Sequence, residues 1–302
     1  MKDDRPDTLD GRRVLVVAYC EPAKPWQSWQ LHSLFSSYLD LPSCNFDFLV
    51  SIPPGSEDRL DPRIHYRHVD PIHSQYQHPL ISARVGFHDG YVYMNHYLAL
   101  TDLPDGYDYV LATDCDTVLT SRLAYYAPHP FLVGRGRYES EYAHQRLARF
   151  CQHHGFHKFG RHRNIHSTWY GKPCLLERCA REVRRVVRLL LEEEDWTDTS
   201  WPKWWIGVAV LYAAEIVLNE EIDALSCIPG VLDSRSDSLM DERAIHLHMW
   251  HTRYPDRAFC KFSFQAGYYD RHDVSLTGNA KMLYDYARRG RSLARSTSES
   301  PA

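Results

Sequence analysis

The sequence predicts an α/β fold whose first half is Rossmann-like. Short apolar runs that are typical of buried strands alternate with longer stretches in which apolar residues recur at helical spacing. The first strand and helix are expected at residues 14–19 and 26–39, and a second strand follows at residues 46–50. A chain of 302 residues is long enough to bury one large core of this kind.

The composition excludes several classes of protein. Apolar and charged fractions of 44% and 25% are those of a globular chain, and a net charge of -4 argues against a general nucleic-acid binder. The eight cysteines include no C-x-x-C pair, so free thiols in a reducing compartment are expected. No run of about 18 apolar residues could span a membrane. We therefore expect a cytoplasmic protein with neither a nucleic-acid partner nor a membrane span.

The remaining elements can be placed from the same patterns. A third strand fits residues 64–69, and a helix at 87–100 leads into a strand at 107–112. Later elements are a strand at 131–134, helices at 139–154, 175–194 and 208–218, a turn at 168–173, and strands at 222–228 and 244–250. The Ser-rich residues 291–302 are expected to be a disordered tail, and residues 1–13 a polar leader.

The strand at residues 107–112 is followed by two carboxylates, Asp114 and Asp116. Residues two apart in an extended segment project to the same side, so both can reach one divalent cation. Ligands in open α/β sheets bind beyond the carboxyl ends of the strands, where this pair is expected. The D-x-D sequence therefore predicts a metal site.

A late strand carries two histidines on one face. Ile245, Leu247 and Met249 alternate with His246 and His248. The two histidines are about 6 to 7 Å apart along a strand, so one ion cannot easily bind both. We favour His248 because it is nearer the carboxyl end of its strand, although His251 is a further candidate. Imidazole suits Mn²⁺ better than Ca²⁺.

The D-x-D pair, the late histidine and the following Lys261 resemble the metal site of retaining GT-A glycosyltransferases of the glycogenin-like type. The H-x-x-G-x-x-K-P-W form of that family is absent. The resemblance implies a GT-A-like fold with a mixed central sheet and helices on both faces. It also implies Mn²⁺ or Mg²⁺, a nucleotide-diphosphate sugar donor, and an acceptor that is a glycan, a protein or a small molecule. Asp114 and Lys261 would then contact the donor.

The same resemblance divides the expected domain, residues 14–290, into a nucleotide-binding half at 14–120 and an acceptor-binding half at 121–290. Donor-binding candidates are Ala18 and Tyr19 at a strand end, and Arg84 and Tyr91 before the D-x-D. An inverting enzyme needs a carboxylate base, for which the candidates are Glu215, Asp233 and Asp237. A retaining enzyme needs none.

Two alternatives remain open. Residues 114–118 also resemble the opening motif of haloacid-dehalogenase-like phosphatases, with Asp114 as nucleophile and Asp116 as acid/base. Asp233 and Asp237, with Lys172 or Lys203, would complete such a site. The other alternative is a non-catalytic nucleotide-sugar-binding protein. The histidine-rich residues 144–166 are interpreted as a solvated basic face.

Overall fold

The computed structural model describes residues 9–198, 200–201, 203–237, 242–250 and 254–298. Seven strands form one mixed sheet in the order β3-β2-β1-β4-β7-β6-β8, and β5 pairs with β9 in a second sheet. The strand bounds are β1 Val14–Tyr19, β2 Phe46–Ile52, β3 His65–His68, β4 Tyr109–Ala112, β5 Thr117–Leu119, β6 Phe131–Arg135, β7 Ile165–Gly171, β8 Leu225–Ser226 and β9 His246–His248.

Seven α-helices accompany these strands in the described residues. They are α1 Pro25–Leu39, α2 Glu141–His154, α3 Pro173–Glu193, α4 Ala209–Glu221, α5 Lys261–Gln265, α6 Tyr268–Arg271 and α7 Gly278–Ser298. Short 3₁₀ segments lie at Leu9–Gly11, Glu57–Arg59, His73–Gln75, Val92–Leu100, Ser121–Tyr125 and Ile206–Val208, and a π-helical turn at Ile81–Val85. No helix among the described residues is long and apolar enough to cross a membrane.

Helices cover both faces of the central sheet. Leu15 and Val17 of β1 face a cluster that contains residues of α3 and α4, whereas Val14 and Val16 face a cluster built on α1. This alternation follows from the two-residue period of a strand. Because β1 is buried on both faces, its sequence reads as a continuous apolar run.

The α/β class, the Rossmann-like first half and the mixed sheet are confirmed. β3, β2, β1 and β4 are all parallel and lie in the Rossmann order 3-2-1-4. β7 then pairs antiparallel with both β4 and β6, which makes the sheet mixed.

Three local predictions are wrong. Residues 168–173, expected as a turn, lie mostly in strand β7, because Trp169 and Tyr170 pair across to β4. Residues 291–298, expected to be a disordered tail, form the last turns of α7, which packs on α1. The helix expected at 87–100 is a 3₁₀ segment that begins only at Val92.

The contact between α7 and α1 depends on a glycine. A Cβ atom at Gly290 would lie 2.2 Å from Ser33 Oγ, 2.4 Å from Ser33 N and 2.5 Å from Trp29 O. Two of these atoms belong to the backbone of α1 and cannot rotate away. Gly290 therefore lets the two helices approach more closely than any side chain would permit.

We expect Gly290→Ala to lower the free energy of unfolding by about 1 to 3 kcal/mol, because the added methyl group overpacks a helix contact. An ordinary glycine-to-alanine change inside a helix acts in the opposite direction and stabilises by up to about 1 kcal/mol. Urea unfolding measures the effect, with Arg288→Ala on the exposed face of α7 as the control. A stabilised Gly290→Ala protein would contradict the proposed close contact.

Candidate metal centre

The D-x-D residues lie where the sheet topology places ligands. β4 ends at Ala112, and Thr113 N donates to Val17 O of β1 at 3.0 Å, which aligns the two strand ends. Asp114 and Asp116 follow at the carboxyl edge, which suits ligand binding in an α/β sheet.

Pairing between β5 and β9 brings His248 to this edge of the sheet. β5 begins at Thr117, and its antiparallel register with β9 sets Thr117 opposite His248. Met249 N continues the ladder by donating to Asp116 O at 2.9 Å. His248 therefore adjoins the D-x-D turn although it lies more than 130 residues later in the chain.

A second histidine arrives on β7. The antiparallel pairing of Ala112 with Trp169 continues toward Asp114, and Ser167 Oγ donates to Asp114 Oδ2 at 2.5 Å. The adjacent His166 lies beside His248, with ring centroids 4.8 Å apart at 80°.

Asp114, His166 and His248 form a group that can hold a metal ion. One ligand atom from each lies within 4.8 Å of the others. A carboxylate and two imidazoles are a donor set typical of Mn²⁺, Fe²⁺ or Zn²⁺ rather than Ca²⁺. The side chains of Asp114 and His166 are 31% and 17% exposed, so a ligand can reach the group from solvent.

Asp233 contacts the rings of His166 and His248 and orients them. Its Oδ1 lies 3.2 Å from His248 Nδ1, and its Oδ2 lies 3.1 Å from His166 Nδ1, the latter as an electrostatic contact rather than an aligned hydrogen bond. Thr168 Oγ1 donates to Asp233 Oδ1 at 2.7 Å. Holding Nδ1 of a histidine on a carboxylate leaves Nε2 available for a metal, as in many metal sites.

Two backbone features allow Asp233 to reach this position. Its φ of 51° is in the left-handed region, which aspartate tolerates better than most residues. A Cβ atom at Gly134 of β6 would lie only 1.6 Å from Asp233 Oδ2. Gly134 therefore leaves the space that the Asp233 carboxylate occupies.

Asp116 has a cationic partner of its own. The Lys261 ammonium, at the first residue of α5, forms an ion pair with Asp116 Oδ2, and His248 Nε2 lies 3.4 Å from the same oxygen. Both side chains of the ion pair are nearly buried, at 12% and 13% exposure. Asp116 thus joins the centre through His248 and Lys261 rather than through the three-ligand group.

Neighbouring charges lower the pKa of Asp114 and raise the pKa of His248. Burial alone would raise the pKa of Asp114, but His96, whose Nδ1 lies 3.0 Å from Asp114 Oδ1, lowers it. Burial alone would lower the pKa of His248, but Asp116 and then Asp233 raise it to about 10. The neighbouring charges therefore favour the ionised form of Asp114 and the protonated form of His248.

The structure contradicts the expectation that His246 can bind a metal. His246 is fully buried, its Nε2 lies 2.7 Å from Thr113 Oγ1, and its Nδ1 accepts from Asp233 N at 3.2 Å. Both ring nitrogens are therefore engaged, and the residue connects β9 to the D-x-D turn. The other candidate in this segment, His251, lies outside the described residues.

Two donor-site expectations are also wrong. Tyr91 is fully buried, and its hydroxyl donates to Gly207 O at 2.9 Å, so it belongs to the core. The Ala18 side chain packs in the cluster under α1 and cannot line a ligand site. Tyr19 does lie at the strand end, with a buried Oη that has no hydrogen-bond partner among the described residues. Arg84 is exposed in the π-helical turn, and its role stays a prediction.

The three candidate bases are not equivalent. Asp233 is 3% exposed and holds histidines, so it cannot act as an open base. Glu215 is 0% exposed in α4 and binds Tyr138 and Asn164 instead of the D-x-D residues. Asp237 has a 40% exposed side chain that pairs with Arg235. Of the three, Asp237 alone reaches solvent.

Sequence reasoning missed His166 and His96. His166 lies in the segment interpreted as a solvated basic face, but it is one residue inside β7, and strand pairing turns it toward Asp114. The available signal is the β-branched and aromatic content of Ile165, Thr168, Trp169 and Tyr170, which favours a strand and overlaps the turn expected at 168–173. No pattern marked His96, because its contact with Asp114 arises from the 3₁₀ path of residues 92–100.

The chain was compared with known proteins. A family model described as a domain of unknown function (DUF7164) matches residues 26–299. None of the curated proteins matches the chain. The crystal structure of mouse xyloside xylosyltransferase 1 in its apo form is similar at a TM-score of 0.40 and 11% identity, covering 92% of this chain and 99% of that one. This likeness is too distant to support an inference about activity.

We expect Asp116→Asn to lower the pKa of His248 by about 1 to 3 in chelator-treated protein, because the largest interaction that favours its charged form is removed. Imidazole NMR measures the pKa, and Asp237→Asn at an exposed position is the control.

The raised pKa of His248 also makes the free energy of unfolding depend on pH. The stabilisation is fully present below the pKa of an unfolded histidine, about 6.5, and is lost as pH rises through about 10. The loss between pH 7 and 10 should therefore be smaller in Asp116→Asn. An unchanged titration in this variant would contradict the proposed interaction.

Proposed function

The chain belongs to the DUF7164 family, and we propose that it is a metal-dependent glycosyltransferase that uses a nucleotide-diphosphate sugar. The observation that carries the proposal is the convergence of Asp114, His166 and His248 at the carboxyl edge of the sheet, beside the Asp116–Lys261 ion pair. A divalent ion and an ammonium side by side suit the negative charge that builds up on a leaving nucleoside diphosphate.

Of the two ions expected, Mn²⁺ and Mg²⁺, the residues present fit Mn²⁺, because two of the three ligands are imidazoles and Mg²⁺ prefers oxygen. Asp114, His166 and His248 would hold the ion, and Asp116 lies close enough to His248 to join them. Asp233 would contact the two histidines rather than the ion, and would hold their rings in orientation, as buried carboxylates do in metal sites. A bound divalent ion supplies Lewis-acid stabilisation of the leaving diphosphate.

Lys261 would assist departure of the diphosphate. Its ammonium occurs at the start of α5 and is held at the centre by Asp116. An anionic donor offers the ammonium a second partner at the same place, so little reorganisation is needed. A positive charge that is already in position stabilises charge that develops on a leaving group.

The donor is proposed to lie over the carboxyl ends of β1 and β4. These strands are parallel neighbours in the Rossmann-like half, where nucleotides bind in such sheets. The buried Oη of Tyr19, which lacks a hydrogen-bond partner among the described residues, lies at this edge. Arg84 remains a proposed phosphate contact in the exposed segment before the D-x-D.

The geometry favours this function over phosphatase chemistry. In the phosphatase alternative Asp114 must attack phosphorus with a free carboxylate oxygen. Asp114 Oδ1 instead lies 3.0 Å from His96 Nδ1, and Oδ2 accepts from Ser167 at 2.5 Å. Of the carboxylates considered as a base for an inverting reaction, Asp237 is the one that a solvent-borne acceptor could reach.

We expect His248→Ala and His166→Ala to weaken Mn²⁺-dependent binding of nucleotide sugars by about 10-fold or more, since each removes a proposed ligand. Asp116→Ala should also weaken this binding, because Asp116 lies against His248 and is close enough to join the ligands. A thermal-shift panel of nucleotide sugars with and without Mn²⁺ identifies the donor, because a ligand of the folded state raises the melting temperature. Calorimetry with that donor then ranks the variants.

Two controls make this test specific. His157→Ala removes an exposed histidine outside the centre and should leave binding unchanged. Slow donor hydrolysis by the wild type separates an enzyme from a protein that only binds nucleotide sugars. Equal Mn²⁺ dependence in wild type, His166→Ala and His248→Ala would refute the proposed centre. Hydrolysis of p-nitrophenyl phosphate that is lost in Asp114→Asn but kept in His248→Ala would favour the phosphatase.

A further inference from the structure

A second group of metal-ligating side chains lies away from the D-x-D. Glu139 precedes α2, His144 lies in the first turn of α2, and Glu215 is in the middle of α4. One ligand atom from each lies within 4.8 Å of the other two. The proposed glycosyl transfer uses none of these residues.

The group has more buried negative charge than its fixed cation can balance. The side chain of Glu139 and the whole of Glu215 are 0% exposed. Arg163 pairs with Glu139 Oε2 at 2.8 Å, but its other ion pair is with the exposed Glu141. His144 Nδ1 also lies 2.9 Å from Glu139 Oε1, so both oxygens of Glu139 have partners. Glu215 has no cationic partner among the described residues, and a buried charge without a partner is costly.

One oxygen of Glu215 also lacks a hydrogen bond. Oε2 accepts from Tyr138 Oη at 2.8 Å and from Asn164 N at 2.6 Å, and the Ile165 N–H is also close to the carboxylate, whereas Oε1 makes no aligned hydrogen bond among the described residues. Burial and then Glu139 raise the pKa of Glu215 to about 8, so a proton can neutralise the charge, but a proton on Oε1 has no aligned acceptor there. A cation satisfies both needs, because it balances the charge and coordinates the free oxygen.

We propose that Glu139, His144 and Glu215 bind a divalent transition-metal ion, with Zn²⁺ as the best fit. Two carboxylates and one imidazole, with a fourth position open to water, are a common zinc donor set. Ligand atoms placed tetrahedrally around one ion with bonds of about 2.1 Å are about 3.4 Å apart, so the side chains of the group would have to close by up to about 1.4 Å when zinc binds. The His144 side chain is 22% exposed and provides the entry path.

This ion would stabilise the conformation of Asn164, which lies two residues before His166 in the chain. Asn164 has a φ of 58°, and its Oδ1 accepts from Tyr138 N and Glu139 N at 2.9 Å each. Its own N–H is bound by Glu215, as described above. Asn164 thus joins two of the proposed zinc ligands by hydrogen bonds, and His166 follows two residues later in β7. The second ion is therefore a structural site that supports the first.

The test counts zinc ions in chelated and reloaded full-length protein, by mass spectrometry of the metal and by isothermal calorimetry with Zn²⁺. Every protein carries His153→Ala, because His153, His154 and Glu193 form an exposed group that can bind zinc adventitiously. His248→Ala removes the D-x-D centre. In that background we expect about one ion per chain, with a rise in melting temperature when zinc is added.

Adding His144→Ala or Glu215→Gln to that background should abolish both the ion and the thermal shift. Glutamine keeps an acceptor for Asn164 and Tyr138, and His144 is at the rim, so at least one variant should fold. His157→Ala at an exposed position is the matched control and should keep the ion. Equal zinc content in the background, His144→Ala and Glu215→Gln proteins would overturn the proposal. No zinc in the background protein would overturn it equally.

The same series separates this inference from the proposed function. A zinc count that falls with His144→Ala but not with His248→Ala would support the second site while counting against the D-x-D centre. A count that falls with His248→Ala but not with His144→Ala would overturn the second site and leave the D-x-D centre intact.

Discussion

One buried carboxylate determines the geometry of the candidate centre. Asp233 contacts the imidazoles of His166, His246 and His248, which arrive on two different strands. Burial would raise its pKa, but the imidazoles lower it well below the ordinary value, so Asp233 stays ionised. A charge that is fully enclosed and shared in this way fixes the orientation of every ring around it.

The backbone conformation at Asp233 and the glycine opposite it leave room for the Asp233 carboxylate. Gly134 leaves the space that the carboxylate fills, and the left-handed φ of Asp233 turns its side chain toward the histidines. His246 shows why two histidines on one strand have different roles. It hydrogen-bonds with Thr113 and with the backbone of Asp233, and so it holds the strand in place while His248 faces the D-x-D turn.

Local patterns predicted the parts of the structure that are locally determined. The bounds predicted for β1 are those of the structure. Strand periodicity selects the D-x-D pair and the face shared by His246 and His248, and His248 is favoured because it is nearer the carboxyl end of its strand. His166, and the role of Asp233 as an orienting group rather than a base, could not be read in this way. Their partners lie 15 to 82 residues away in sequence. They meet through pairing between distant segments, which is antiparallel for β7 and parallel between Ser234 and Leu247 of β9. Periodicity also gave His246 and His248 the same face, whereas hydrogen bonding distinguishes them.

The ion pair between Lys261 and Asp116 means that the chain provides its own counter-cation. A dication that binds to Asp116 would compete with this ammonium, so its binding would be an exchange of charges rather than a simple addition. The displaced ammonium would become available to an anion, and an anion that binds it would free the carboxylate in turn. If the proposed centre takes both ligands, metal and anion would therefore bind with positive cooperativity, and this coupling would be reciprocal. Each ligand would then bind weakly alone and more tightly with the other.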